Sequence, residues 1–160
     1  MGRVLAVDPG TRRVGLAISD PGATIAQPLT ALPADPLDSL PERLAEWALR
    51  HEATELVVGL PRRLDGAMGP EAQAAKALAE ALRRLTGLPV TLVDERLTSV
   101  AAERALLATG TKRARRRQLS DQVAAALILQ TYLDSVGARR DSPSKRDSPS
   151  SGRSPRTRLP

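Results

Sequence analysis

The 160-residue chain contains no cysteine, no phenylalanine and no asparagine, and one residue each of histidine, tryptophan and tyrosine. Without cysteine there are no disulfides, thiolate zinc sites, iron–sulfur clusters or cysteine nucleophiles. A single histidine, His51, leaves no scope for a histidine-rich metal cage or a Ser-His-Asp triad. With two aromatic residues there is little on which to stack exposed bases. No run of about 18 apolar residues occurs, so nothing reads as a membrane span. The opening MGRVLAVDPG lacks the basic and apolar regions of a cleaved signal, and the cytoplasm is the expected location. Any catalysis falls to carboxylates.

Charge is plentiful but uneven. The chain carries 24 Lys and Arg against 18 Asp and Glu, a net charge of +6. Arginine supplies 21 of the cations, a skew that a GC-rich genome or a thermophile's avoidance of heat-labile residues would produce. Position is more informative than total. Residues 137–160 hold seven cations and two acids, while residues 1–136 balance 17 cations against 16 acids. Within that body, Lys112, Arg113, Arg115, Arg116 and Arg117 form one run without an acid. The Ser- and Pro-rich tail repeats Arg-Asp-Ser-Pro and offers almost nothing to bury, so it is expected to be disordered. The folded domain is expected over residues 1–136.

Strands are expected at Arg3–Asp8, Arg13–Ser19, Ala23–Leu29, Glu55–Leu60 and Val90–Asp94. The first two read as a hairpin around Pro9-Gly10. Helical spacing covers Pro36–His51, with Leu37, Leu40, Leu44, Trp47 and Ala48 as its apolar positions. It recurs over Pro70–Leu85, with Ala74, Leu78, Ala81, Leu82 and Leu85, and over Ser99–Ala108. A last helix is expected over Ser120–Val136, with Ser120 as its cap and Ala124, Ala125, Ile128 and Tyr132 on its packed face. Three leading strands followed by alternating helices and strands predict an α/β fold, a mixed sheet with helices on its faces.

Three acidic positions interrupt these patterns. Period two puts Asp8 on the face of Val4 and Ala6, although Asp before Pro-Gly is also ordinary turn chemistry. Asp121 lies one turn before Ala124 and Ala125, where an acid also complements the helix macrodipole. Asp94 and Glu95 end a strand on opposite faces, so only one of them easily shares the face of Asp8. Ligands bind at the C-terminal ends of strands in open sheets with helical crossovers. Three carboxylates gathered there would repel unless protonated or bound to a cation. Oxygen ligands favour Mg²⁺ or Mn²⁺ over zinc.

The segments LAVDPGTRRVGLAISD, VVGLPRRLDG, VDERLTSVAAERAL and SDQVAAALILQTYLD resemble, in order and spacing, the four blocks of the YqgF-type (RuvX-like) family over about residues 3–135. Members are described as Holliday-junction resolvases or pre-16S ribosomal RNA nucleases. The resemblance implies a ribonuclease-H-like fold and a divalent-metal-dependent nuclease. It implies two ions, Mg²⁺ or Mn²⁺, with Asp8 bridging them and Glu95 and Asp121 each holding one; Asp94 is the reserve for the middle position. Arg62-Arg63 and Ala67-Met68 stand where the second block varies. Expected substrates are structured RNA, as in 5′ maturation of pre-16S ribosomal RNA, or branched DNA, bound by a monomer or homodimer. A noncatalytic nucleic-acid-binding module is the remaining reading. The run Lys112, Arg113, Arg115, Arg116 and Arg117 is then a phosphate-contacting clamp, or else a solvated loop. The turn Asp8-x-Gly10-Thr11-x-x-x-Gly15 is similar to the phosphate turn of actin-like ATPases and sugar kinases. Those enzymes need two such lobes.

Overall fold

The structure, a computed structural model, describes residues 2–63, 65–98 and 113–141, with backbone alone for 113–120 and 140–141. Five strands form one sheet in the order β3-β2-β1-β4-β5: β1 Arg3–Asp8, β2 Arg13–Ser19, β3 Ala26–Pro33, β4 Ala53–Leu60 and β5 Val90–Asp94. β1, β2 and β3 run as an antiparallel meander, and β4 and β5 add in parallel to β1. Helices α1 (Leu40–Arg50), α2 (Pro70–Thr86) and α3 (Arg113–Asp141) cover the faces. The mixed sheet expected from the order of elements is present.

Alternation divides the core in two. Leu5, Val7, Val14, Leu16 and Val58 face α1 and α2. Val4, Ala6, Ala17, Val57 and Val93 face α3, where they meet Ala124, Ala125, Ile128 and Leu129. The α3 side is built from smaller residues, so the helix lies close to the sheet. At its far end Tyr132 donates to Glu55. Burial, and then that carboxylate, raise the Tyr132 phenol above its usual 10.0.

β1, β2 and β5 span the residues the sequence predicts; β4 begins at Ala53 rather than Glu55, and β3, the first helix, α2 and α3 differ further. β3 begins at Ala26 rather than Ala23, because the Asp20 carboxylate accepts from Thr24 N and Ile25 N and commits residues 20–25 to a turn. Pro28 and Pro33 are tolerated because β3 is an edge strand. The first predicted helix is split. Leu37–Ser39 form a 3₁₀ turn, and Leu37 is 66% exposed rather than part of the core. The α2 stripe is offset from the expected one, so that Ala72, Ala75, Leu78, Ala79 and Leu82 are buried while Ala74 is exposed. Gly69 precedes α2 with Pro70 in its first turn, and Gly87 ends it in the left-handed region at φ +70°.

α3 differs most. It begins at Arg113, not after a cap at Ser120, because neither Gly nor Pro interrupts residues 113–120 and Arg, Ala, Gln and Leu are strong helix formers. It also continues to Asp141, beyond the Val136 end read from the sequence. The helix expected at Ser99–Ala108 and most of the tail lie outside the described residues. Trp47 and His51 stack on one another with ring centroids 5.4 Å apart, and Arg50 covers the Trp47 ring. The only histidine is therefore a packing residue on α1's end.

Candidate active site

Asp8 ends the central strand and is 2% exposed, an unusual place for a carboxylate. It continues the Val4–Ala6 face beneath α3. Room for it comes from two missing side chains. Gly15 lies opposite Asp8 on β2. On β4, Gly59 follows Val58, the partner of Val7. A β-carbon at Gly59 would stand 3.0 Å from Glu95 Oε2 and 3.6 Å from Asp8 Oδ1. A β-carbon at Gly15 would stand 2.0 Å from the backbone oxygen of Asp121. The two glycines thus flank Asp8, one opening the sheet to Glu95 and the other to the α3 backbone at Asp121.

Glu95 opens the 3₁₀ turn that follows β5 and is 7% exposed. Val93 packs toward α3 and Leu92 toward the other face. Alternation therefore sends Asp94 away from Asp8 and returns Glu95 to it. Asp94, the reserve ligand, is engaged elsewhere. Its carboxylate accepts from Arg96 N at 2.9 Å, from Arg96 Nη2 at 2.7 Å and from Arg62 Nη1 at 3.4 Å. It caps the turn that carries Glu95 and ties it to the segment after β4.

Those guanidinium contacts, Arg96 first, hold the Asp94 carboxyl below its usual 3.8. The ionised group adds stability above that pH, and the contribution fades as pH falls through the depressed value. Asp94→Asn should then lower stability at neutral pH by about 1 kcal/mol or less and flatten the acid limb of urea denaturation. Cleavage should persist. Loss of cleavage with an intact fold would return Asp94 to the ligand set.

Asp121 stands against β2, and its Oδ2 accepts from Arg13 Nε at 3.0 Å. Among the described residues, no group of three His, Cys, Asp or Glu side chains is placed to hold a metal ion. Asp8 and Glu95 come together, while the Asp121 carboxylate is turned to the Arg13 guanidinium, which occupies it as a cation would. An oxygen-only pair under a packed helix suits a hard divalent ion. The third acid adjoins that pair through Gly15 without completing it.

Residues 2–135 match the family described as "RuvX: Holliday junction resolvase". The chain belongs to the RuvX family. Members of this family are nucleases, which hydrolyse phosphodiester bonds. Two relatives carry the name "Putative pre-16S rRNA nuclease". That of Moorella thermoacetica is 48% identical over 135 residues, covering 84% of this chain and 96% of its own length. That of Roseiflexus sp. (strain RS-1) is 44% identical over 134 residues, covering 84% and 95%. Among solved structures, Thermus thermophilus RuvC in complex with a Holliday junction substrate superposes with a TM-score of 0.54 at 17% identity, over 89% of this chain and 98% of that one. That likeness establishes the fold, a ribonuclease-H-like sheet.

In this RuvX-family chain the sequence pattern places Gly15 only in the turn that begins at Asp8, and it gives no role to Gly59 or Arg13. Glycine inside a strand marks a close approach of another group, and both glycines carry that signal. The pairing of Arg13 with Asp121 spans 108 positions and has no local sign. Lys112 lies outside the described residues, as do the side chains of Arg113, Arg115, Arg116 and Arg117, whose backbone forms the first turns of α3. Among the described residues, no helix is long and apolar enough to cross a membrane.

Proposed function

We propose that the chain is a divalent-metal-dependent endonuclease acting in the cytoplasm on structured RNA, in 5′ maturation of pre-16S ribosomal RNA. The observation that carries this reading is the convergence of Asp8 Oδ1 and Glu95 Oε2 over Gly59. In this reading Asp8 and Glu95 hold Mg²⁺ or Mn²⁺, and Asp121 completes the set by exchanging Arg13 for an ion. Two such ions supply an activated water and charge neutralisation at the scissile phosphate.

The chain's own residues do the rest. α3 closes one side of the carboxylate pair through Ile128, whose Cδ1 lies against Gly59. Arg13, once released from Asp121, is a donor for a phosphate oxygen beside the acids. No histidine or lysine base is required, which suits a chain whose one histidine is stacked on Trp47.

The names of the relatives favour RNA, while the family description favours a four-way DNA junction, the second reading with the same site. Both substrates, offered side by side with Mg²⁺ or Mn²⁺, separate the readings. RNA cut to 5′-phosphate and 3′-hydroxyl ends, with activity abolished by EDTA, is the expected result. Paired cuts in the junction alone, made by a dimer, would establish the second reading. Cleavage of neither would leave a noncatalytic binding module.

The basic run at the start of α3 is proposed as the phosphate clamp. Asp121 lies eight positions after Arg113, about 12 Å along the helix. Neutralising Arg115, Arg116 and Arg117 should weaken binding and flatten its dependence on log salt by about 0.7–0.9 for each phosphate no longer neutralised. Filter binding across a salt series reads this directly. An unchanged slope would assign the run to solvent. The basic residues beyond α3 are read as an appendage adding sequence-independent affinity.

A further inference from the structure

Among the described residues, a cavity adjoins the acids and shares only Asp121 with them. It is a cleft of about 640 Å³ between the β1–β2 turn, the segment after β4 and the first turns of α2. That size falls within the usual range for small-molecule sites. Its apolar wall is made by Pro9, Leu37, Pro61 and Ala74. Leu37, at its edge, is 66% exposed, a large apolar side chain left in water beside an open cleft. Glu71 lines the same space, and so do Arg13 and Asp121. The cleft therefore begins where the proposed cutting site ends.

We propose that this cleft receives one unpaired nucleoside of the substrate strand, next to the scissile phosphate, and so selects where the strand is cut. The inference rests on the nuclease reading of Asp8, Glu95 and Asp121. Rigid proline rings and Leu37 give apolar surfaces that cover a base, which this aromatic-poor chain cannot do by ring stacking. The Glu71 carboxylate only accepts hydrogen bonds, so it favours a base with N–H donors on its pairing edge. Guanine offers two such donors side by side and is the preferred occupant. A base seated there cannot be paired or stacked in a duplex. Strands with an unpaired nucleotide beside the cut are then chosen over continuous duplex, by base recognition that adds to phosphate contacts.

Ala74→Trp tests this, because Ala74 is exposed on the wall and the larger side chain fills the cleft without entering the core. In the full chain this variant should keep its denaturation midpoint and its salt dependence of binding, yet cut precursor RNA about tenfold or more slowly. An abasic nucleotide at one position beside the cut should slow the unmodified chain equally and add nothing to Ala74→Trp. Glu71→Gln should weaken any preference for guanine there. A readout independent of cleavage is 2-aminopurine walked along the RNA in the Asp8→Asn background. One position should brighten on binding, and Ala74→Trp should remove that signal. Cleavage within about twofold of normal in Ala74→Trp, or no position that brightens, would overturn the proposal. Failure of the nuclease reading shows separately, as cleavage by Asp8→Asn at the ordinary rate, while the fluorescence scan still reports on the cleft.

Discussion

Replacing Asp8 with asparagine should abolish cleavage while leaving the fold intact and slightly more stable. The carboxylate is 2% exposed, and its Oδ1 and Glu95 Oε2 both lie within 4 Å of where a Gly59 β-carbon would stand. Asparagine fills the same volume but carries no charge with which to hold a cation. Loss of several kcal/mol of transition-state stabilisation corresponds to a rate reduced by about a thousandfold or more. The effect on folding has the opposite sign. Two buried carboxylates brought together repel when no cation is present, so removing one charge should add about 1 kcal/mol to the stability of the metal-free chain. Adding Mn²⁺ should stabilise the unmodified protein by mass action and the variant much less. Measuring cleavage rate and urea denaturation with and without metal gives all three results on one preparation. Ordinary cleavage by Asp8→Asn would end the carboxylate mechanism. A variant that no longer folds would show instead that Asp8 is held by packing contacts rather than tolerated for chemistry.

The way these acids meet explains which parts of the site can be read along the chain. β1, β2 and β5 follow from local patterns, whereas alternation only puts Asp94 and Glu95 on opposite faces, and the packing of Val93 against α3 decides that Glu95 is the one turned to Asp8. The many alanines of α2 obscure its phase. An Ala-rich helix has a weak apolar face, and packing on α1 and the sheet selects Ala72, Ala75 and Ala79 over Ala74. The start of α3 is hidden because Ser120 is as good a cap as it is an interior residue, and the arginines before it look like a loop. Arg13 beside Asp121 is a tertiary product with no local cause. It becomes visible only after β2 has brought Gly15 under the helix. Separate motifs can be found in a sequence, but the counter-ion that occupies one of them requires the fold.

Gly15→Ala should be the most damaging single-methyl change in the sheet. Gly15 has no positive φ, so its need is for space rather than for an unusual backbone conformation. An added β-carbon would lie 2.0 Å from the Asp121 carbonyl oxygen and 2.5 Å from its carbon. Both atoms are backbone, so no side-chain rotation relieves the overlap. α3 must shift or bend, yet Ala124, Ala125, Ile128 and Leu129 fix it to the sheet with almost no exposed surface. Overpacking of this kind costs about 1–3 kcal/mol. It outweighs the gain of about 0.5–1 kcal/mol that alanine brings to a strand by restricting the unfolded chain. Any displacement is greatest at Asp121, which should give up its 3.0 Å bond to Arg13 and its place over Gly15. A shift of about 1 Å at a catalytic group costs about a hundredfold in rate. Gly87→Ala is the control. Its φ is +70°, nothing lies within 4 Å of an added β-carbon, and it ends α2 away from the acids. It should lose about 1 kcal/mol of stability to backbone strain and cut normally. Equal stability losses with unequal cleavage would show that Gly15 holds the helix at the distance the chemistry needs. Ordinary rate and stability in Gly15→Ala would mean that α3 does not meet β2 at Asp121.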